Sequence, residues 1–274
     1  MELSPEFERV RPPRPVRAIW ISDVHLGTKA CKASALCAFL GDYNSKYLYL
    51  VGDIVDGWAL RKAWYWDEAH NDVARRVLKA AREGTEVRLL CGNHDEFLRG
   101  WIGQDWGGIQ VLEEAEHLTA DGRRLLVLHG DRFDLVVRNS AWLAHLGDWA
   151  YRMLMAVNVG FNFVRRKLGL RYWSLSLFLK QKVKAAVAYG NSFEEAVTRE
   201  AKQRGFDGVV CGHIHKPDIR ETGGIHYLNS GDWVESCTAL VEELDGKINL
   251  VRWPVSHARD KGHLGTFQPD TARS

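Results

Sequence analysis

Short apolar runs recur along the chain at Val16 to Ile21, Tyr47 to Val51, Val87 to Cys91, Leu125 to Leu128 and Val209 to Cys211. Each has the length of a buried strand rather than a helix. Residues around Cys31 to Tyr43 and Ala69 to Glu83 read as helices, the second with Ala69, Val73, Val77 and Ala80 on one helical face. Alternation of strand and helix is the mark of an α/β fold. In such sheets the loops that follow the strands gather at one edge, so residues distant in sequence can meet there.

After Ile214 the pattern changes to Ile225 to Leu228, Thr238 to Val241 and Ile248 to Val251, separated by turns such as Asp245-Gly246. These are expected to be closing strands of a second, more antiparallel sheet. One domain is expected over 15–257, with polar tails at 1–14 and 258–274. The stretch from His129 to His213 is far longer than the roughly 2–6 residues that join a strand to a helix. A helical insertion, or lid, is therefore expected at about 136–190. Within it Trp142, Leu146, Trp149 and Met153 share a helical face, as do Leu175, Leu179, Val183 and Ala186. Phe161, Phe163, Tyr172, Trp173 and Phe178 add aromatic surface, and Arg165, Arg166, Lys167, Lys180, Lys182 and Lys184 add cations. Such faces serve as ordinary core with solvated edges, or suit an amphiphile with acyl chains and phosphate, or a membrane surface.

Charge narrows the partners only a little. With 37 basic and 35 acidic residues the net charge is +2, so no global field draws in nucleic acid, and no extended basic stripe with interleaved aromatics lies outside the insertion. The most tempting membrane stretch, Met153 to Val164, is bounded by Arg152 and Arg165 and falls short of the ~20 residues a span needs. The N-terminal segment, with Glu2, Glu6, Glu8 and Arg11 to Pro15, has no secretory pattern. Five cysteines, an odd number without metal-like spacing, read as buried thiols of a reducing compartment, and a cytoplasmic location is expected.

The chemistry lies where the apolar runs stop. Asp23 and His25 follow the first, Gly52-Asp53 the second, Gly92-Asn93-His94-Asp95 the third, His129 the fourth, and His213 with His215 the fifth. Any one of these could be a turn-former or a satisfied core group. Seven together, Asp23, His25, Asp53, Asn93, His129, His213 and His215, read as a site for two divalent ions, because hard oxygens mixed with imidazoles suit Mn, Fe or Zn. Gly52 frees the backbone so that Asp53 can turn to both ions. His94 is an imidazole left for proton transfer, and Asp95 a carboxylate able to orient it.

In this order, over residues 23 to 215, the motifs resemble those of the calcineurin-like metallophosphoesterases. The resemblance implies a four-layer α/β/β/α sandwich of two mixed sheets. It assigns one ion to Asp23, His25, Asp53 and His215, and the other to Asp53, Asn93, His129 and His213. Two ions roughly 3.5 to 4 Å apart activate water, grip phosphoryl oxygens and stabilise the leaving oxygen. His94 is then expected to touch the phosphate or protonate the leaving group.

A finer resemblance rests on Gly52-Asp53-Ile54-Val55-Asp56-Gly57-Trp58, on Gly92 to Phe97 and on the long insertion, which are similar to UDP-2,3-diacylglucosamine pyrophosphatases of lipid A synthesis. It implies attack of water on the α-phosphorus, giving UMP and 2,3-diacylglucosamine 1-phosphate, with Mn²⁺ as the metal and the insertion sheltering the acyl chains. Substrate contacts would come from Asn93, His94, Trp58, Arg165, Arg166, Lys180 and Lys184, with the protein peripheral on the cytoplasmic membrane surface. The chain departs from that family where its best-known members carry Arg in place of His94, and where Glu96 intervenes before Phe97. At these positions it is closer to general phosphodiesterases. A phosphodiesterase or phosphatase acting on another nucleotide or lipid-linked diphosphate, a nuclease, and a non-catalytic metal-binding scaffold are the alternatives.

Overall fold

A computed structural model describes residues 12–136 and 193–254. The expected insertion with Arg165, Arg166, Lys180 and Lys184, and most of both tails, fall outside these residues. The chain begins with β1 (Arg14–Ile21), α1 (Ala33–Asp42), β2 (Tyr43–Val51), α2 (Gly57–Lys62), α3 (Glu68–Arg82) and β3 (Glu86–Leu90). It continues through β4 (Ile109–Leu112), β5 (Glu114–Leu118) and β6 (Arg124–Leu128), then a helix over 193–203 (α4) and β7 (Gly208–Cys211). The last strands are β8 (Asp218–Thr222), β9 (Ile225–Asn229), β10 (Thr238–Glu242) and β11 (Ile248–Arg252). Short 3₁₀ segments lie at Glu96–Trp101 and Asp131–Val136.

The strands form two mixed sheets, ordered β11-β10-β1-β2-β3-β4 and β5-β6-β7-β9-β8. Strands β1 to β4 pair in parallel in the first, as do β6, β7 and β9 in the second. Alternation along each strand divides the core into layers. In β2, Leu48 and Leu50 join a cluster with Leu36 and Phe39 of α1 and Val73 and Val77 of α3, whereas Tyr49 and Val51 face Leu125, Val127 and Val210 of the second sheet. In β6, Leu126 and Leu128 pack outward on Phe193, Val197 and Ala201 of α4. The result is the expected α/β/β/α order. Helix α3 starts sharply because Asp67 accepts the His70 amide at 3.0 Å and His70 Nδ1 faces the Asp67 amide, a reciprocal cap.

The closing strands differ from expectation. They do not form one antiparallel sheet: β9 lies parallel to β7 in the second sheet, while β10 and β11 complete the first, antiparallel to β1 and to each other. All five residues of β10 are buried, which only an interior strand flanked on both sides allows, and an apolar run does not name its neighbours. All five cysteines are free thiols, with Cys91, Cys211 and Cys237 buried. Among the described residues no helix is long and apolar enough to cross a membrane.

Candidate metal centre

Five parallel strands deliver the predicted ligands. Asp23 and His25 follow β1, Asp53 follows β2, Asn93 follows β3, His129 follows β6, and His213 and His215 follow β7. The backbone there is held in a sparsely populated conformation. Asp23, His25, Asp53, His213 and His215 have φ of 51°, 55°, 53°, 69° and 52°, and among the described non-glycine residues only Cys237 joins them. Left-handed backbone costs a non-glycine residue about 1–3 kcal/mol and persists where surrounding structure enforces it. The enforcement is visible: the amides of Val24 and His25 both donate to the Asp53 carbonyl at 2.9 Å, and the His213 amide donates to Asp23 Oδ2 at 2.9 Å. The His94 amide donates to Asp53 Oδ1 at 2.8 Å. Gly92 is required by close approach, since a Cβ there would sit 2.3 Å from Asp53 Oδ1.

The side chains converge in overlapping groups. Asp23, His25 and His215 place ligand atoms within 4.8 Å of one another, and so do Asp53, His129 and His213. A third group, His25, Asp53 and His94, lies between them. His215 Nε2 is 3.3 Å from Asp23 Oδ1, and His129 Nε2 is 3.5 Å from Asp53 Oδ2. His129 Nδ1 donates to the Val51 carbonyl at 2.8 Å, an acceptor only, so the neutral ring keeps its Nε2 lone pair for a cation.

Unsatisfied atoms test whether metal suits the site. Asp23 Oδ1, His25 Nε2, Asn93 Oδ1 and His129 Nε2 are buried without a hydrogen-bond partner. Leaving such a group unpaired costs about 1–3 kcal/mol. All four belong to predicted ligands and converge from three different loops, so cations are the partners that fit. Electrostatics agree. Burial works against ionisation of Asp53, but the neighbouring His129 and the His94 amide outweigh it and hold the carboxyl below the usual range. Burial likewise opposes charge on His129, yet Asp53, then Asp23 and Asp131, push its pKa up to about 10. His25 moves down, mainly through burial, against the pull of Asp53 and Asp23. The centre of the site attracts positive charge, and a divalent ion can replace a proton there.

Asp56 was not singled out by sequence reasoning as part of the site. Its Oδ1 accepts the Ala59 amide at 2.7 Å, capping α2, while Oδ2 lies 3.2 Å from His25 Nδ1. The same Oδ2 is 3.1 Å from His94 Nδ1, off the line of a good hydrogen bond. Burial works against its ionisation, but the Ala59 amide and His94 bring its pKa down. The signal was present as the second carboxylate of Gly52-Asp53-Ile54-Val55-Asp56, a motif that carries the finer resemblance but does not by itself give Asp56 a role. Asp95, expected to orient His94, instead binds backbone: its Oδ1 accepts the Gly92 amide at 2.6 Å and its Oδ2 the Ile54 amide at 2.8 Å. It is fully buried, and burial with the nearby Asp53 raises its pKa. Asp95 shapes the loop that presents Asn93, and Asp56 is the carboxylate beside His94. Trp58, half exposed, lies on the His94 ring with centroids 4.3 Å apart.

Comparison with known proteins bears on the same residues. The calcineurin-like phosphoesterase family matches residues 16–217. The UDP-2,3-diacylglucosamine hydrolase of Ralstonia nicotianae is 28% identical over 226 residues, covering 78% of this chain and 82% of that protein. The UDP-2,3-diacylglucosamine hydrolase of Neisseria meningitidis serogroup B is 27% identical over 239 residues, covering 84% and 94%. Among solved structures, Yfce, a phosphoesterase from E. coli, aligns with a TM-score of 0.42 at 15% identity, over 86% of this chain and 99% of that one. The family match runs from β1 past β7 and takes in every strand that delivers a ligand, and the chain belongs to the calcineurin-like phosphoesterases.

Proposed function

We propose that the chain hydrolyses the pyrophosphate of UDP-2,3-diacylglucosamine, releasing UMP and 2,3-diacylglucosamine 1-phosphate, with two divalent ions, Mn²⁺ ahead of Fe or Zn. The observation that carries the reaction class is the pair of ligand groups around Asp53, with four buried ligand atoms lacking any other partner. The substrate rests on the names of the relatives, each matched over most of both chains. Asp23, His25, Asp53 and His215 would hold one ion, and Asp53, Asn93, His129 and His213 the other. Bound there, the ions supply an activated water and charge neutralisation of the phosphoryl oxygens.

The protein groups do the rest. His94 has Nδ1 against Asp56, which leaves Nε2 for the phosphate or the leaving oxygen, and its side chain is 26% exposed. Proton transfer from a positioned imidazole contributes about 10²–10⁴ in rate. Trp58 gives the same rim a flat apolar surface for substrate. Arg165, Arg166, Lys180 and Lys184 are proposed to meet the phosphates or an anionic lipid surface, with the enzyme peripheral on the cytoplasmic membrane.

His94 on its carboxylate also supports a second reading, a phosphodiesterase of broader range. Incubation with UDP-2,3-diacylglucosamine and Mn²⁺, followed by mass spectrometry, separates the two. UMP and the diacylated sugar 1-phosphate are expected from the wild type and neither from Asp53→Ala. Turnover of bis(p-nitrophenyl) phosphate alone, with the sugar nucleotide intact, would refute the substrate and keep the reaction class.

A further inference from the structure

We infer that Arg99 is a positioning residue that fixes the loop bearing Asn93 against the loop bearing His129, and so preorganises one of the two metal sites and not the other. This rests on the reading that Asn93 and His129 share an ion. Arg99 lies in the 3₁₀ segment Glu96–Trp101, which continues directly from Asn93-His94-Asp95. One guanidinium nitrogen donates to Glu113 Oε1 at 2.5 Å and the other to Asp131 Oδ2 at 2.7 Å. Glu113 is the single residue joining β4 of the first sheet to β5 of the second. Asp131 stands two residues after His129, where the chain leaves β6. One planar fork therefore spans three segments and both sheets.

The geometry explains the selectivity. Asn93 is presented by the first sheet through Asp95, and His129 by the second through β6, so their separation depends on how the sheets are tied at this edge. A guanidinium makes two directed, charge-assisted bonds at fixed angle, which lysine cannot reproduce. Asp131 is mostly buried, at 17% exposure, which shields that bond from solvent. The ligands of the other ion are fixed elsewhere. Ser22, beside Asp23, bonds Ser230 at 2.7 Å and the Gly231 carbonyl at 2.9 Å, and His25 Nδ1 faces Asp56 Oδ2 at 3.2 Å. Arg99 touches none of these groups.

Calorimetric titration of the full chain with Mn²⁺ tests the proposal. The wild type should show two binding events. Arg99→Gln should weaken one by about tenfold, the lower end of the effect of residues that orient metal ligands, and leave the other within about twofold. Arg99→Lys should fall between, and Asp131→Asn should weaken the same event. The double variant Arg99→Gln/Asp131→Asn should be no weaker than the worse single variant, because both remove one interaction. Equal weakening of both events, or of neither, overturns the proposal. So does failure of both single variants to fold by circular dichroism, which would place Arg99 in the scaffold. A wild type that binds fewer than two ions would instead refute the two-ion reading itself, and this proposal with it.

Discussion

Asp56 divides two jobs between its two oxygens, and substitution can separate them. Oδ1 caps α2 through the Ala59 amide at 2.7 Å, while Oδ2 faces His25 Nδ1 at 3.2 Å and His94 Nδ1 at 3.1 Å. Asparagine keeps an oxygen for the cap and turns an amide NH₂ toward the two imidazoles. Both rings then face a donor where an acceptor stood. To relieve this, His25 must move its proton to Nε2, the buried atom with no other partner, and so lose its metal lone pair. Loss of an orienting partner of this kind costs about 10–100-fold in metal affinity. Loss of a correctly oriented His94 costs about 10²–10⁴ in kcat even when metal is saturating. Stability should barely change in Asp56→Asn, because asparagine caps as well as aspartate. Asp56→Ala, which also removes the cap, should lose about 1 kcal/mol, or about 2–4 °C in Tm for a chain of this size. The assay is kcat on bis(p-nitrophenyl) phosphate at saturating Mn²⁺, with thermal melts of both variants. A kcat for Asp56→Asn within about twofold of wild type would refute the role given to Oδ2.

Gly92→Ala should displace Asp53, since the new Cβ would lie 2.3 Å from its Oδ1 and 2.5 Å from its amide nitrogen. Overpacking at such a site costs about 1–3 kcal/mol, and Mn²⁺ content by mass spectrometry should fall for both ions; full occupancy would contradict the close approach. Glu114 is held below the usual carboxylate range by Arg204 first and Arg132 after it, against some desolvation. A lowered folded pKa adds stability above the unfolded value of about 4.3 and loses it as pH falls through the folded value. Glu114→Gln should therefore be less stable at neutral pH and show a shallower loss of stability in denaturant melts between about pH 5 and 3; an unchanged pH profile would remove Glu114 from the acid response.

Much of this molecule could be read from apolar runs, and the failures have specific causes. Strands β1, β2, β3, β6 and β7 were visible because they are continuously apolar, and the turns after them carried the ligands. Strand β5 was missed because its inward position is His117, bonded to Glu242 at 2.8 Å and Tyr49 at 2.9 Å, where an apolar residue signals a strand. Strand β8 is largely exposed at a sheet edge and carries almost no apolar pattern. The pairing of β9, β10 and β11 was misread because periodicity identifies a strand and its faces but not its neighbours. For a similar reason, Asp56 holds the place beside His94 that was expected of Asp95. Adjacency in sequence favoured Asp95, but a turn directs successive side chains apart, and the carboxylate that reaches His94 arrives from the loop after β2.

The central claim is that seven side chains from five strand ends hold two ions that share Asp53. Anomalous diffraction from crystals grown with Mn²⁺ tests it most directly. Two peaks are predicted roughly 3.5 to 4 Å apart, one against Asp23, His25 and His215, the other against Asn93, His129 and His213, with Asp53 between them. A single peak, or metal bound away from Asp53, would contradict it.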